Sequence, residues 1–187
     1  ALPSDLTRDS FEEWRGAVRD KLRELLRIPE IKRQEPPVLL SYDARDGYTV
    51  QKWEFYPDEY TAVPFLALIP DSVSRGAPAP GVICLPGSMH SKEFISGEEL
   101  LEPYNCRFEK YPERNRMAQY IVKSGMCAFV FDNIATAEVG IPTTDPNADK
   151  WNMHSRQEAV YGYLQSGMCY PGMSVYNILS FMQYLPC

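Results

Sequence analysis

Apolar residues first fall into a helical rhythm, with Phe11, Trp14, Val18, Leu22 and Leu25 recurring at three- and four-residue intervals. Ser10 followed by Glu13 reads as a capping box, and Pro29 forbids continuation beyond Ile28. Arg15, Arg19, Lys21 and Glu24 fill the other face, so the pattern predicts an amphipathic helix over about 10–28, packed on a core. Strand patterns follow. Val38–Tyr42 is apolar, Asp46-Gly47 offers turn chemistry, and Tyr48–Tyr56 is rich in aromatic and β-branched residues. The alternation slips between Val50 and Trp53, which predicts a bulge or a change of face. Val63–Ile69 reads as a third strand closed by Pro70, and the Gly/Pro-rich stretch from Ser72 to Pro80 as a surface connection.

The pattern then changes class. Gly81–Leu85 and Met126–Phe131 are short runs of continuous apolar character, suited to strands buried on both faces. A helix is predicted between them from Pro112 to Ser124, closed by Gly125, with Met117, Tyr120, Ile121 and Ser124 on one side. Strand, helix, strand is a βαβ unit, so these two strands should run parallel. Two further helices are expected. One covers His154–Gln165 and ends near Gly167; the other is capped by Ser174, with Val175, Ile178, Leu179, Met182 and Leu185 inward. No repeat or linker divides the chain, so residues 1–187 are read as one domain.

Composition narrows the function. Of 187 residues, 44% are hydrophobic and 24% charged, which is globular, and no apolar run approaches the roughly 20 residues of a membrane span. Nineteen basic against 25 acidic residues give a net charge of −6, which argues against nucleic-acid binding. Five cysteines without a CxxC pair argue against structural zinc, and Cys84 and Cys127 sit in apolar runs as small buried hydrophobes. Asp145, Asp149 and Glu138 lack metal-loop spacing, so no metal is expected. No cofactor is expected either. The first residues carry no signal-peptide pattern, although a processed chain would look the same, so the compartment stays open.

In open α/β sheets ligands bind beyond the carboxyl ends of the parallel strands. Two such ends are identifiable, Pro86-Gly87-Ser88-Met89-His90 and Asp132-Asn133-Ile134-Ala135. The first opens a connection of about 26 residues to Tyr111, where about 4–6 is usual; Tyr104, Phe108 and Tyr111 would anchor it as an ordered, site-forming loop.

These residues carry a resemblance. Ile83-Cys84-Leu85-Pro86-Gly87-Ser88 with Ser91-Lys92-Glu93, the Arg116-Met117-Ala118 helix, Phe129-Val130-Phe131-Asp132-Asn133 with Ala137-Glu138, and the stretch Tyr161–Tyr184 containing Gly172-Met173-Ser174 resemble, in that order, bacterial α/β-hydrolases related to acetyl xylan esterases. The resemblance covers nearly the whole chain and the amino-terminal half of such an enzyme. It implies an α/β-hydrolase-like fold: a mostly parallel sheet with an antiparallel amino-terminal hairpin and flanking helices, truncated before the nucleophile strand. It also implies a serine-type carboxylic ester hydrolase acting on carbohydrate esters, with a periplasmic or secreted location. The backbone amide of Ser88, helped by Gly87, would be an oxyanion donor. His90, Lys92, Glu93, Asp132 and Asn133 are substrate-binding candidates.

The departure is large. No Gly-x-Ser-x-Gly occurs, and in this fold the acid and histidine follow the nucleophile in chain order. The chain is therefore expected to be inactive alone. Its partners would be a small-molecule or oligosaccharide ester, and a second polypeptide or second copy completing the sheet, with no nucleic acid and no membrane insertion. A non-catalytic carbohydrate-binding module is the rival reading.

Bland readings stand beside the sharp ones. Ser88 is a backbone donor rather than a nucleophile, and His90 and His154 are solvated or hydrogen-bonding rather than a general base. Asp132 orients a substrate hydroxyl or closes its strand on its own backbone, with nothing to choose between them. Lys92 and Glu93 pair with each other or with solvent. Tyr161, Tyr163, Tyr170, Tyr176 and Tyr184 form a sugar platform or, by default, pack in core and interface.

Overall fold

The computed structural model of the chain describes residues 4–5, 7–32, 35–87, 90–98, 115–140 and 153–185. The opening helix α1 is Arg8–Leu26. Its cap is one turn earlier than the Ser10–Glu13 pattern suggested. Thr7 Oγ1 accepts from the Ser10 N–H at 3.2 Å, and Ser10 Oγ accepts from the Thr7 N–H at 2.9 Å. A serine at the third helical position thus does what glutamate usually does. Arg27, left-handed at φ 48°, closes the helix before Pro29 is reached. The expectation of a core-packed helix is corrected: no residue of α1 is buried, and Leu22 and Leu25 stay 51% and 60% exposed.

Strands β1 (Val38–Ala44), β2 (Tyr48–Asp58) and β3 (Thr61–Pro70) form an antiparallel meander. Gly47, at φ 82°, makes the tight turn between the first two. The irregularity expected on β2 falls on its partner: Leu39 pairs with Trp53 and Ser41 with Lys52, leaving Leu40 as the extra residue. A second shift lies between Phe55 and Asp58. The connection after β3 is not all loop, since Asp71–Ser74 forms a one-turn helix, α2.

Strand β4 (Gly81–Cys84) and strand β5 (Cys127–Phe131) pair in parallel, Gly81 opposite Cys127 and Cys84 opposite Val130. β5 also pairs antiparallel with β3, giving the order β1-β2-β3-β5-β4. The α/β-hydrolase-like class holds. Parallel pairing is narrower than expected, however, being one strand pair within a mixed sheet among the described residues.

Helices cover both faces of the sheet. On one side α3 (Lys92–Ser96), with Phe94 and Ile95, and α4 (Met117–Lys123), with Ala118 and Val122, close over Val50, Leu66, Leu68 and Val130. The inward face of α4 is Ala118 and Val122, with Ile121 partly buried beside them; Met117 and Tyr120, grouped with Ile121 on one side by the sequence, are exposed. Gly125, at φ 84°, closes α4, whereas the expected start at Pro112 lies outside the described residues.

On the other side α6 (Tyr170–Met182) lays Phe181 among Phe55, Phe65 and Phe131, with ring centroids 4.9–5.6 Å away. α6 begins four residues before Ser174, with Pro171 in its first turn, so Ser174 is inside the helix. Its buried face is Gly172, Tyr176, Ser180 and Phe181; of the expected inward set, Ile178 and Leu185 pack partly buried against the same core, whereas Val175 and Met182 are exposed. α5 (Met153–Gln165) matches the expected span, ending at Gly167 with φ 75°. Cys84, Cys127 and Cys169 are free thiols, the first two buried.

Candidate active site at the carboxyl ends of β4 and β5

Parallel strands deliver their carboxyl ends to the same edge of the sheet, and the chain must turn there, so polar backbone and loop side chains gather at that edge. Here a crevice of about 200 Å³ opens between Leu85, Phe131, Asn133 and Ile134 on the strand side and Ser174 and Ile178 on α6. Tyr170 Oη donates to the Ile134 carbonyl at 2.7 Å, and Tyr176 Oη donates to the Pro57 carbonyl at 2.7 Å. These two bonds fix α6 over the strand ends. A second depression, near Asp46, Asp71, Arg75 and Lys123, lies at the opposite end of the strands.

Behind the crevice is a buried charge cluster. The ammonium of Lys92 lies 2.8 Å from Asp132 Oδ2, 2.6 Å from Glu138 Oε2 and 2.8 Å from Glu93 Oε1, with none of its side chain exposed. The main-chain N–H of Lys92 donates to Asp132 Oδ1 at 2.7 Å. Lys52, from β2, donates to the far oxygen of Glu138 at 2.7 Å. Glu93 Oε2 has no hydrogen-bond partner among the described residues. Glu93, Asp132 and Glu138 thus crowd three carboxylates around the one buried ammonium of Lys92, which favours a bound proton. Burial, aided by Glu93, pushes the Asp132 acid up to about 6 against the pull of Lys92. Burial alone would depress the Lys92 ammonium, yet Asp132, Glu93 and Glu138 together hold it above the usual lysine value. Glu138 is drawn below its usual range because Lys92 and Lys52 outweigh its burial.

Reaching this geometry strains the chain after β5. Ala135 and Ala137 adopt φ 55° and 50°, a region that costs a non-glycine residue about 1–3 kcal/mol. The turn is held by Thr136, whose N–H and Oγ1 both donate to the Asn133 carbonyl, at 3.2 and 2.7 Å. Its product is the placement of Glu138 between Lys52 and Lys92.

The expected site residues separate into two groups. Lys92 and Glu93 do pair with each other, but buried rather than at a solvated surface. Asp132 borders the crevice, and its side chain, 1% exposed, binds α3 rather than the backbone of its own strand. Asn133 faces the crevice, and its Nδ2 donates to the carbonyls of Pro86 and Gly87, 3.2 Å each. The Gly87 carbonyl also accepts the His90 N–H at 3.2 Å. His90 is half-buried. Its ring stacks on Phe94 at 4.8 Å and 4°, and burial holds its pKa below the usual value. Ser88 lies outside the described residues, as do Tyr104, Phe108, Tyr111, Asp145, Asp149 and the side chain of His154.

Reading the sequence missed the role of Lys52 and the whole of α3. The second had a signal: Ser91 caps the Phe94 N–H at 3.1 Å and Gly97 closes the helix at φ 72°, a cap-to-glycine frame visible in sequence. Of the tyrosines, Tyr163 and Tyr170 meet edge to face with ring centroids 6.4 Å apart. Tyr170 and Tyr176 are tied to backbone carbonyls, and Tyr161 stands exposed on α5. Among the described residues no group of three or more His, Cys, Asp or Glu is placed to hold a metal ion. None of the described helices is long and apolar enough to cross a membrane.

Comparison with known proteins agrees with this geometry. The model of the Abhydrolase family matches residues 1–182. A solved structure from Bacteroides fragilis NCTC 9343, named provisionally as an acetyl xylan esterase, superposes with a TM-score of 0.80 at 28% identity. The match takes in 98% of this chain and 45% of that one, so the chain spans less than half the length of this structural relative. No protein with a curated description matches.

Proposed function

This chain belongs to the Abhydrolase family, and from that membership we propose that it forms the oxyanion side of a serine-type carboxylic ester hydrolase site acting on carbohydrate esters. The observation that carries the reading is the crevice at the carboxyl ends of β4 and β5, bordered by a glycine-containing strand exit. In such a reaction a serine attacks the acyl carbon, and charge develops on the former carbonyl oxygen. Backbone N–H groups aimed at that oxygen are worth about 10²–10³ in rate each. Gly87, which has no Cβ to block approach, and the amide of Ser88 are the proposed source of one such donor. The nucleophile, acid and histidine would come from beyond these 187 residues, since no Gly-x-Ser-x-Gly lies within them.

Two measurements test the reading. The chain alone should hydrolyse an aryl acetate no faster than buffer; turnover abolished by His90→Ala would overturn the assignment of roles. Titration with an acetylated xylo-oligosaccharide should shift the amide resonances of Leu85, Gly87, Asn133 and Ile134. No shift at saturating ligand would refute the crevice as the ester site.

A second reading is supported by one observation, that β4 is the last strand of the sheet among the described residues. A second polypeptide or a second copy would then pair with it and complete the sheet. Native mass measurement distinguishes the two: a strictly monomeric particle removes the second reading.

A further inference from the structure

Asp132 and Asn133 are neighbours in sequence, yet they hold opposite ends of the connection between β4 and α3. Asn133 Nδ2 donates to the Pro86 and Gly87 carbonyls where the chain leaves β4. Asp132 receives the Lys92 main-chain N–H and Nζ, at 2.7 and 2.8 Å, where α3 begins. Side chains alternate direction along an extended chain, so two adjacent residues can brace two separated points.

We propose that Asp132 and Asn133 are a positioning pair that sets the β4 exit backbone. The catalytic meaning of the pair rests on the hydrolase reading above; the brace itself does not. Both Asp132 oxygens bind Lys92 and its side chain is buried, so its carboxylate is committed to the start of α3. Both hydrogens of the Asn133 amide are spent on carbonyls. The order is chemically fixed as well. A carboxylate at 133 would face two carbonyl oxygens with no hydrogen to give them, and an amide at 132 would turn an NH2 group toward Lys92, whose main-chain N–H and Nζ are both donors. What the brace shapes is visible in the described neighbours: the Gly87 carbonyl takes the His90 N–H, and the His90 ring lies flat on Phe94. Gly87 is tightly fitted here, since a Cβ on it would sit 3.3 Å from His90 Nδ1.

The test is residue-resolved amide exchange with an NMR titration of the His90 ring, on the chain as it stands, for N133A and for N133D, which keeps the shape of asparagine but not the donor. Loss of the brace opens a local segment rather than the whole fold. Both variants should exchange the His90 amide at least tenfold faster than wild type, with the amides of Lys92 and of β5 changed less than twofold. The ring titration should move up towards the ordinary histidine range as the stack loosens. Unchanged His90 exchange in both variants, or equal acceleration throughout β5, would overturn the proposal. Neither readout needs turnover. If the local pattern appears but the ester titration fails, the brace stands and the hydrolase reading falls.

Discussion

Replacing Lys92 by methionine isolates the energetics of the buried cluster. Methionine fills much of the same volume, so the main change is electrical: Asp132 and Glu93 lose their only cation contact among the described residues, while Glu138 keeps Lys52. Removing one member of a fully buried ion pair costs about 3–5 kcal/mol, because the remaining charge is left without compensation. An exposed pair costs about 0–1 kcal/mol. The side chains of Lys92, Asp132 and Glu93 are 0%, 1% and 2% exposed, so the larger figure applies. For a domain of this size 1 kcal/mol corresponds to about 2–4 °C, so Lys92→Met should lower Tm by about 6–20 °C. Urea unfolding at pH 7.5, followed by tryptophan fluorescence, gives the free energy directly. The triple variant Lys92→Met, Glu93→Gln, Asp132→Asn, which removes the stranded charges, should recover at least half of the loss. A single variant within about 1 kcal/mol of wild type, or a triple variant no better than the single, would refute the account.

Other consequences follow from the same coordinates. The Asp132 acid titrates in the folded state near 6, above its ordinary 3.8, so its ionisation opposes folding. The Asp132 contribution to stability should therefore rise as pH falls from 7 to 5, opposed over the same window by His90, whose pKa is lowered. Stability should fall at lower pH as Glu138, whose pKa is depressed, takes up a proton. In urea midpoints against pH, Asp132→Asn should lack the rise; an unchanged profile would exclude Asp132 as its source. Gly172→Ala would place a Cβ 1.9 Å from the Leu26 carbonyl oxygen, and the forced separation of α1 from α6 should cost about 1–3 kcal/mol. Gly162→Ala, in open space on α5, should instead gain about 0.5–1 kcal/mol; urea midpoints of the two variants should move in opposite directions. The Cys84 thiol, buried and pushed up to about 11, should not react with an aromatic disulfide reagent until the protein unfolds, and labelling of the native chain at Cys84 would contradict that burial.

The sheet was legible because its information is local. Continuous apolar runs at Gly81–Cys84 and Cys127–Phe131 mark strands buried on both faces, and an intervening helical pattern implies their parallel pairing. Helix faces were less legible. In α4 and α6 nearly every position is apolar or small, so periodicity does not choose between one face and the next; contact with the sheet chose Ala118 and Val122, and Tyr176 and Phe181. Composition of α1 announced an apolar stripe, but burial depends on what lies opposite, which no residue of the helix encodes.

The charge cluster shows why candidate residues are easier to find than their roles. Its members come from β2, α3 and the turn after β5, and Lys52 and Glu138 are 86 positions apart. Nothing at either position signals the other. The turn that joins them needs two alanines in the left-handed region, a conformation that local preference assigns to glycine or asparagine and that only surrounding packing can enforce. Strain there and desolvation in the cluster both oppose folding, so the residues persist through what they hold together. Through Asp132 and its neighbour Asn133, that is the strand exit bordering the crevice. A reading of Asp132-Asn133 as substrate ligands and a reading of it as a brace use the same two residues in the same place; what favours the brace is that the Asp132 oxygens and the Asn133 amide hydrogens are already engaged.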